Sequence, residues 1–133
     1  MSSISNRREL EREGYEIAKE IFKRLYVEYE EEEEGRRLTT SNLRNMLEAA
    51  REAKKLGSYD YFRLRAAYIA RQASPEDSLY VFVRRLLSEI NRRGRGDDER
   101  IELAIAALTA SIYLFTALRS NFRGLIYEGG ERT

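Results

Sequence analysis

The chain has 133 residues, of which 42% are hydrophobic and 35% are charged, with one proline and a net charge of +1. This length favours one domain with a real core, and the composition favours a soluble, strongly helical protein. Cysteine and histidine are both absent, which excludes disulfides and thiolate chemistry and removes the commonest general base and zinc ligand. We find neither a run long enough to span a membrane nor a signal-peptide core, so we expect a cytoplasmic protein.

A first helix is predicted from Arg7 to about Tyr29, because apolar residues recur there at spacings of three and four. Five consecutive glutamates, Glu30 to Glu34, follow this helix and precede Gly35. Like charges repel and glycine breaks helices, so we expect residues 30–37 to form a solvated acidic linker. An acidic metal cluster is the alternative interpretation of the glutamate run.

A second helix is predicted from about Thr40 to Leu56, with Gly57 as the residue that ends it. Residues 39–42, Thr-Thr-Ser-Asn, can cap the free backbone amides at its start. Its inward face is formed by five apolar residues, Leu43, Met46, Leu47, Ala50 and Ala53. Its opposite face carries three cations, Arg44, Arg51 and Lys55.

A third helix is predicted from about Tyr59 to Gln72. Its aromatic side chains alternate with arginines, a mixture that suits contact with RNA. Helical spacing favours a core position for Phe62 and Tyr68, so we expect the arginines to contact phosphates and the aromatics not to stack on bases.

Two further helices complete the chain. Ser74 as the N-cap and Pro75 at the first helical position predict the start of the fourth helix. Residues 91–98 are then predicted to be a basic linker, and Asp97 or Asp98 to cap a fifth helix from about Glu99 to Phe122. That helix is apolar around most of its girth, which predicts burial at the centre of the bundle or at an interface.

The sum is an all-α protein, a compact bundle of about five helices in a single domain over residues 1–133. Residues 125–133 are expected to be a frayed tail.

Catalytic motifs are not found. The segment "RRGRGDD" lacks the glycine count and the Lys-Ser/Thr ending of a phosphate loop, and a serine nucleophile has no histidine to activate it. Residues 97–99, Asp-Asp-Glu, can bind a divalent ion, but acidic residues at a helix start are more often caps. We therefore expect a protein that is not an enzyme, with no catalytic residues, no metal site and no cofactor.

Charge is unevenly distributed along the chain. Residues 36–96 contain 14 Lys and Arg against 6 Asp and Glu, whereas residues 1–35 contain 6 against 11 and residues 97–133 contain 4 against 6. A basic centre between acidic flanks allows one face to bind a polyanion while other faces meet protein partners. Solvated arginine-rich helices are the alternative interpretation.

Three strings in the basic centre carry a resemblance. They are "LTTSNLRNML" at residues 38–47, "RLRAAYIARQ" at residues 63–72 and "LYVFVRRLLSEI" at residues 79–90. In this order and spacing, the chain resembles the small helical subunit of type III-A CRISPR-Cas effectors, the Csm complex. The C-terminal string "SIYLFTALRSNFRG" fits the aromatic last helix of that family only loosely.

The resemblance implies a non-enzymatic subunit of a ribonucleoprotein that acts in antiviral defence. Its implied partners are the guide RNA and the target RNA, whose backbone it contacts in the guide-target duplex, other Csm subunits, and further copies of itself head to tail. The resemblance places Arg44 at the arginine of the first motif. It places Arg65, Tyr68 and Arg71 at the basic, tyrosine and arginine positions of the second motif.

The predicted RNA-binding surface combines the charge pattern with this resemblance. The start of the second helix, with its amides, dipole and neighbouring arginines, is a candidate phosphate site. The rival function is a helical protein-interaction adaptor or homodimer that works through the apolar fifth helix. The candidate RNA-binding residues are Arg36, Arg37, Arg44, Arg51, Lys55, Arg65, Arg71 and Arg85.

Overall fold

The computed structural model describes residues 7–25, 37–119 and 126–127. Over these residues the chain forms five α-helices and no strand, which confirms the predicted all-α fold. The helices are α1 (Arg7–Arg24), α2 (Thr40–Leu56), α3 (Tyr59–Ile69), α4 (Ser78–Arg93) and α5 (Gly96–Leu118).

Helix α5 is the centre of the bundle and packs against each of the other four helices. Its most extensive packing is against α1 and α2, while α3 packs beside α2 and α4 beside α1. The ring of Phe22 on α1 joins the layers, because its centroid lies 5.6 Å from that of Phe82 on α4 and 6.0 Å from that of Phe115 on α5. The described helices therefore share one hydrophobic core.

The apolar faces predicted for α1 and α2 are the buried faces, which confirms their helical period. On α2 the core side chains include Leu43 and Met46, both completely buried. On α3 the prediction is only half right, since Phe62 is completely buried but Tyr68 is 59% exposed. The 11-residue helix α3 buries only one stripe, and Tyr68 lies outside it.

Helix α2 has the predicted bounds and caps. The Thr39 hydroxyl accepts a hydrogen bond from the Asn42 amide at 3.0 Å, and the Asn42 side chain accepts one from the Thr39 amide at 3.0 Å. This reciprocal pair satisfies two amides that the helix itself leaves open. At the other end Gly57 adopts φ 70°, the left-handed conformation that glycine takes at least cost.

The predicted start of α4 is wrong. The Ser74 amide donates to Oδ2 of Asp77 at 2.8 Å, and the Asp77 amide donates to the Ser74 carbonyl at 2.9 Å. These bonds form a turn around Pro75, so Asp77 is the N-cap and the helix begins at Ser78. Helix α3 likewise ends at Ile69 and not at Gln72, because turns follow directly after it.

The basic linker at residues 91–98 is also wrong. Helix α4 continues to Arg93 and α5 begins at Gly96, so only two residues, Gly94 and Arg95, connect them. Asp97 and Asp98 lie inside the first turn of α5 and do not cap it. Asp97 instead accepts a hydrogen bond from the Tyr59 amide at 3.3 Å, which ties the start of α5 to the start of α3.

The remaining predictions concern the chain ends. Helix α1 ends at Arg24, before the predicted Tyr29; Tyr29, the glutamate run and Phe122 lie outside the described residues. Two residues of the predicted frayed tail, Ile126 and Tyr127, pack against the core, and the Tyr127 hydroxyl donates to the Lys19 carbonyl at 3.0 Å. These two residues are therefore docked onto α1.

Helix α5 corrects the expectation that the chain has no run long enough to span a membrane. Its 23 residues include an 18-residue window with a mean hydropathy of 1.9, so the helix is long and apolar enough to cross a membrane by length and composition. Half of that window is buried inside the bundle, as is usual for a central helix.

Candidate nucleic-acid interface

The outer face of α2 carries three exposed cations. Arg44, Arg51 and Lys55 are spaced by seven and four residues, so they follow one line along the helix, opposite its buried face. Within the described residues none of the three forms an ion pair or hydrogen bond, although the charge of Lys55 interacts with that of Glu52. We call these three residues the α2 cation row.

One acidic residue lies within this row. Glu48 follows Arg44 by four residues and precedes Arg51 by three, and it is exposed. The row together with Glu48 therefore has a net charge of +2. The position of Glu48 within the row can be predicted from the sequence, because residues three and four apart on a helix are neighbours. A count of cations alone does not reveal it.

Arg65 forms its hydrogen bonds with other residues of the protein. Its guanidinium donates to Oε1 of Glu52 at 2.7 Å and contacts the Tyr61 hydroxyl at 2.6 Å, and that hydroxyl also bonds Glu52 at 2.7 Å. The hydrogen bond from Tyr61, followed by that from Arg65, lowers the pKa of Glu52, and the same network raises the pKa of Arg65. Arg65 thus fastens α3 to α2, its Nη1 donors are used within the protein, and its charge is balanced by that of Glu52.

Arg71 lies just after α3 and stacks on Tyr68. Its guanidinium carbon is 3.9 Å from the centre of the Tyr68 ring, and its Nη1 donates to the Tyr68 carbonyl at 2.9 Å. Arg71 also lines a cleft of about 390 Å³ together with Arg37, Thr39 and Asn42. The structure thus brings Arg37 and Arg71 to one cleft.

The start of α2 offers fewer free donors than its sequence suggests. The Thr39 and Asn42 amides are satisfied by the capping pair, and the Leu38 amide donates to the Ser78 hydroxyl at 2.8 Å. An anion at this helix end therefore depends on the remaining first-turn amides and on the neighbouring cations.

Arg85 belongs to a different part of the surface. It lies on α4 in a small pocket against α1, with Glu20 and Glu89 among its neighbours. Helix α4 packs against α1, α5 and α3. Arg85 is therefore separate from the α2 cation row.

The candidate residues thus divide by location. Arg44, Arg51 and Lys55 form the row on α2, Arg37 and Arg71 line the cleft, Arg65 is paired, Arg85 is on α4, and Arg36 lies outside the described residues. No group of three acidic residues suited to a metal ion occurs in the described part of the chain.

Comparisons with known proteins give no relative. No protein-family model, no curated protein and no solved structure matches the chain.

Proposed function

We propose that the chain is the non-catalytic small subunit of a type III-A CRISPR-Cas effector, where it binds the RNA backbone and neighbouring Csm subunits in antiviral defence. The observation that carries the proposal is the α2 cation row, three exposed cations on one helix that form no ion pair or hydrogen bond with the other described residues. The row begins in the segment that resembles the first family motif, which includes Arg44. The family assignment itself rests on the three quoted strings.

The dimensions of the row suit a backbone contact. At 1.5 Å per residue, the eleven steps from Arg44 to Lys55 span about 16 Å of helix. Guanidinium groups pair with phosphate oxygens through two parallel hydrogen bonds, and such contacts carry no sequence information. Binding is therefore expected to be sequence-tolerant and strongly dependent on salt.

The test reverses two charges of the row. We expect Arg44→Glu/Arg51→Glu to reduce affinity for single-stranded RNA by about 10-fold or more in every sequence. The negative slope of log affinity against log salt concentration should become less steep by about 0.7 for each phosphate that the variant no longer neutralises. Fluorescence anisotropy at several salt concentrations measures both quantities, with the chain alone and with the assembled guide complex. Circular dichroism checks that both proteins remain helical.

The matched control is Arg8→Glu/Lys23→Glu, which changes the net charge equally on exposed positions of α1. Equal weakening by the two double variants would assign the binding to net charge and not to this face. Wild-type protein that binds no RNA in either form would refute the proposed function.

A second candidate function, a helical adaptor or homodimer, is favoured by the outer surface of α5. A groove of about 650 Å³ runs over α5 between α1 and α2, and Tyr113 in its lining is 73% exposed. A stable oligomer that Tyr113→Arg dissociates in light scattering, and that is indifferent to RNA, would favour this function over RNA binding.

A further inference from the structure

The outer surface of α3 presents an aromatic ring and a guanidinium already stacked on each other. Tyr68 is 59% exposed, and the guanidinium carbon of Arg71 lies 3.9 Å from its ring centre. The hydrogen bond from Arg71 to the Tyr68 carbonyl, 2.9 Å long, holds the guanidinium in place by a second contact. The pair is therefore organised before any ligand arrives, although both planar groups remain at the surface.

This pair adjoins a cleft whose lining includes two arginines. Arg71 belongs both to the stack and to the cleft of about 390 Å³, whose other lining residues include Arg37, Thr39 and Asn42. A planar platform next to a cleft that carries two arginines matches the two halves of a nucleotide, since bases stack on aromatic and guanidinium planes while phosphates take charged donors.

We propose that Tyr68 and Arg71 form a stacking site for an unpaired RNA base, with the adjoining phosphate at the cleft beside Arg37. This inference rests on the proposed function and extends it from backbone charge to a contact with the base itself. It reverses the sequence-based expectation, in which Tyr68 is a core residue and no base is stacked.

Other parts of the exposed α3 surface help to separate RNA from a protein ligand. Leu64, one turn before Tyr68, is 67% exposed, and a protein partner would bury both side chains as one apolar patch. A base fits this surface better, because the guanidinium of Arg71 lies directly on the Tyr68 ring and also lines the cleft. Stacking also tolerates every base, since each has a π face.

The experiment compares two RNA strands of equal length and charge, one complete and one with several abasic positions. We expect the full-length wild-type chain to bind the complete strand about 10-fold more tightly, because each stacked base contributes a factor of that order. Tyr68→Ala should abolish this difference, whereas Tyr68→Phe should keep it. A strand containing 2-aminopurine should lose fluorescence on binding to the wild type and not to Tyr68→Ala.

Tyr15→Ala is the matched control, because Tyr15 on α1 is an exposed tyrosine with a cation, Lys19, 5.7 Å from its ring centre and lies outside the cleft. It should leave the preference for the complete strand unchanged. Equal affinity of the wild type for the two strands would overturn the stacking site and leave backbone binding intact. Absence of binding to both strands at low salt, alone and in the guide complex, would overturn the proposed function as well. A Tyr68→Ala variant that keeps its strand preference and instead loses self-association would assign the surface to a protein contact.

Discussion

Two tyrosines of α3 carry hydroxyl groups in opposite situations. The Tyr59 hydroxyl is buried without a hydrogen-bond partner among the described residues, whereas the Tyr61 hydroxyl bonds Glu52 and Arg65. Burial raises the pKa of Tyr59 to about 12 from its ordinary value of 10.0, although the nearby charge of Arg63 acts in the opposite direction. A buried hydroxyl without a partner costs folding free energy, whereas a satisfied one does not.

We expect Tyr59→Phe to keep the free energy of unfolding unchanged or to raise it by up to about 1 kcal/mol at pH 7, because it removes the unsatisfied group. The matched Tyr61→Phe should lower that free energy by about 1 to 2 kcal/mol, because two charged groups are deprived of a partner. Urea unfolding monitored by circular dichroism measures both values. A Tyr59→Phe variant that is less stable than Tyr61→Phe would contradict this account.

The raised pKa of Tyr59 makes the stability of the fold depend on pH. A tyrosine whose pKa is higher in the folded state holds its proton when the unfolded chain has released it, so stability falls as pH rises from about 10 to 12. The decrease due to Tyr59 should reach about 1 to 2 kcal/mol by pH 11, since each pKa unit corresponds to about 1.4 kcal/mol. Tyr59→Phe should lack this part of the alkaline decrease in urea unfolding at pH 9 and pH 11.

At the scale of elements, α1 approaches α5 most tightly at a glycine, Gly14. A Cβ atom at Gly14 would lie 2.4 Å from the Ala106 Cβ and 2.6 Å from the Ala106 carbonyl carbon. Gly14 is in the middle of a helix, where glycine is less favourable than alanine by about 1 kcal/mol. The close packing of the two helices explains why this position tolerates the less favourable residue.

We expect Gly14→Ala to lower the free energy of unfolding by about 1 to 3 kcal/mol, because overpacking outweighs the gain in helix propensity. The double variant Gly14→Ala/Ala106→Gly should recover only part of this stability, since backbone atoms of α5 at 2.6 and 2.8 Å still crowd the new methyl group. Denaturant midpoints of the three proteins test this. A Gly14→Ala protein as stable as the wild type would show that the two helices separate easily.

Sequence periodicity predicts the elements better than their ends. The apolar spacing of α2 and its cap residues suffice for its bounds, because Thr39 and Gly57 act within their own segment. The start of α4 cannot be obtained in this way, since Ser74 and Asp77 are both good cap residues and a turn between them decides which one is used. The candidate site is also only partly predictable from local sequence patterns. The pairing of Arg65 with Glu52 joins two helices, and no local pattern indicates it.

At the scale of the whole molecule, one arginine fastens the first helix to the fourth. Arg93 on α4 pairs with Glu13 of α1 and with Glu89 of its own helix at 3.1 Å, and it lies 3.6 Å from Glu16. Burial alone would raise the pKa of Glu89, but hydrogen bonds from Arg93 and Arg92 outweigh it and hold that pKa below its ordinary value of 4.5. Burial acts against charge on Arg93 as well, yet its bonds to Glu13 and Glu89 raise its pKa.

We expect Arg93→Met to lower the free energy of unfolding by about 2 to 3 kcal/mol at pH 7, because three carboxylates are deprived of their shared cation. A lowered pKa of Glu89 stabilises the fold above pH 4.5, and this contribution disappears as pH falls through the folded-state pKa. The difference between variant and wild type should therefore shrink below pH 4.5. Thermal unfolding across the range from acid to neutral pH measures it.

The matched control is Arg92→Met. Arg92 also pairs with Glu89, but its side chain is 64% exposed, and exposed pairs contribute about 1 kcal/mol or less. A destabilisation by Arg92→Met equal to that by Arg93→Met would contradict the assigned role of Arg93 in joining α1 to α4.

The α2 cation row, with Glu48 inside it, has a consequence for binding strength if the chain acts on RNA. A single copy provides only a net charge of +2 on this row, so we expect a low individual affinity and fast dissociation. Copies tethered along one strand raise the effective concentration of each next contact, and the resulting avidity exceeds any single affinity. Retention on RNA would then depend steeply on strand length, and short strands would be released quickly.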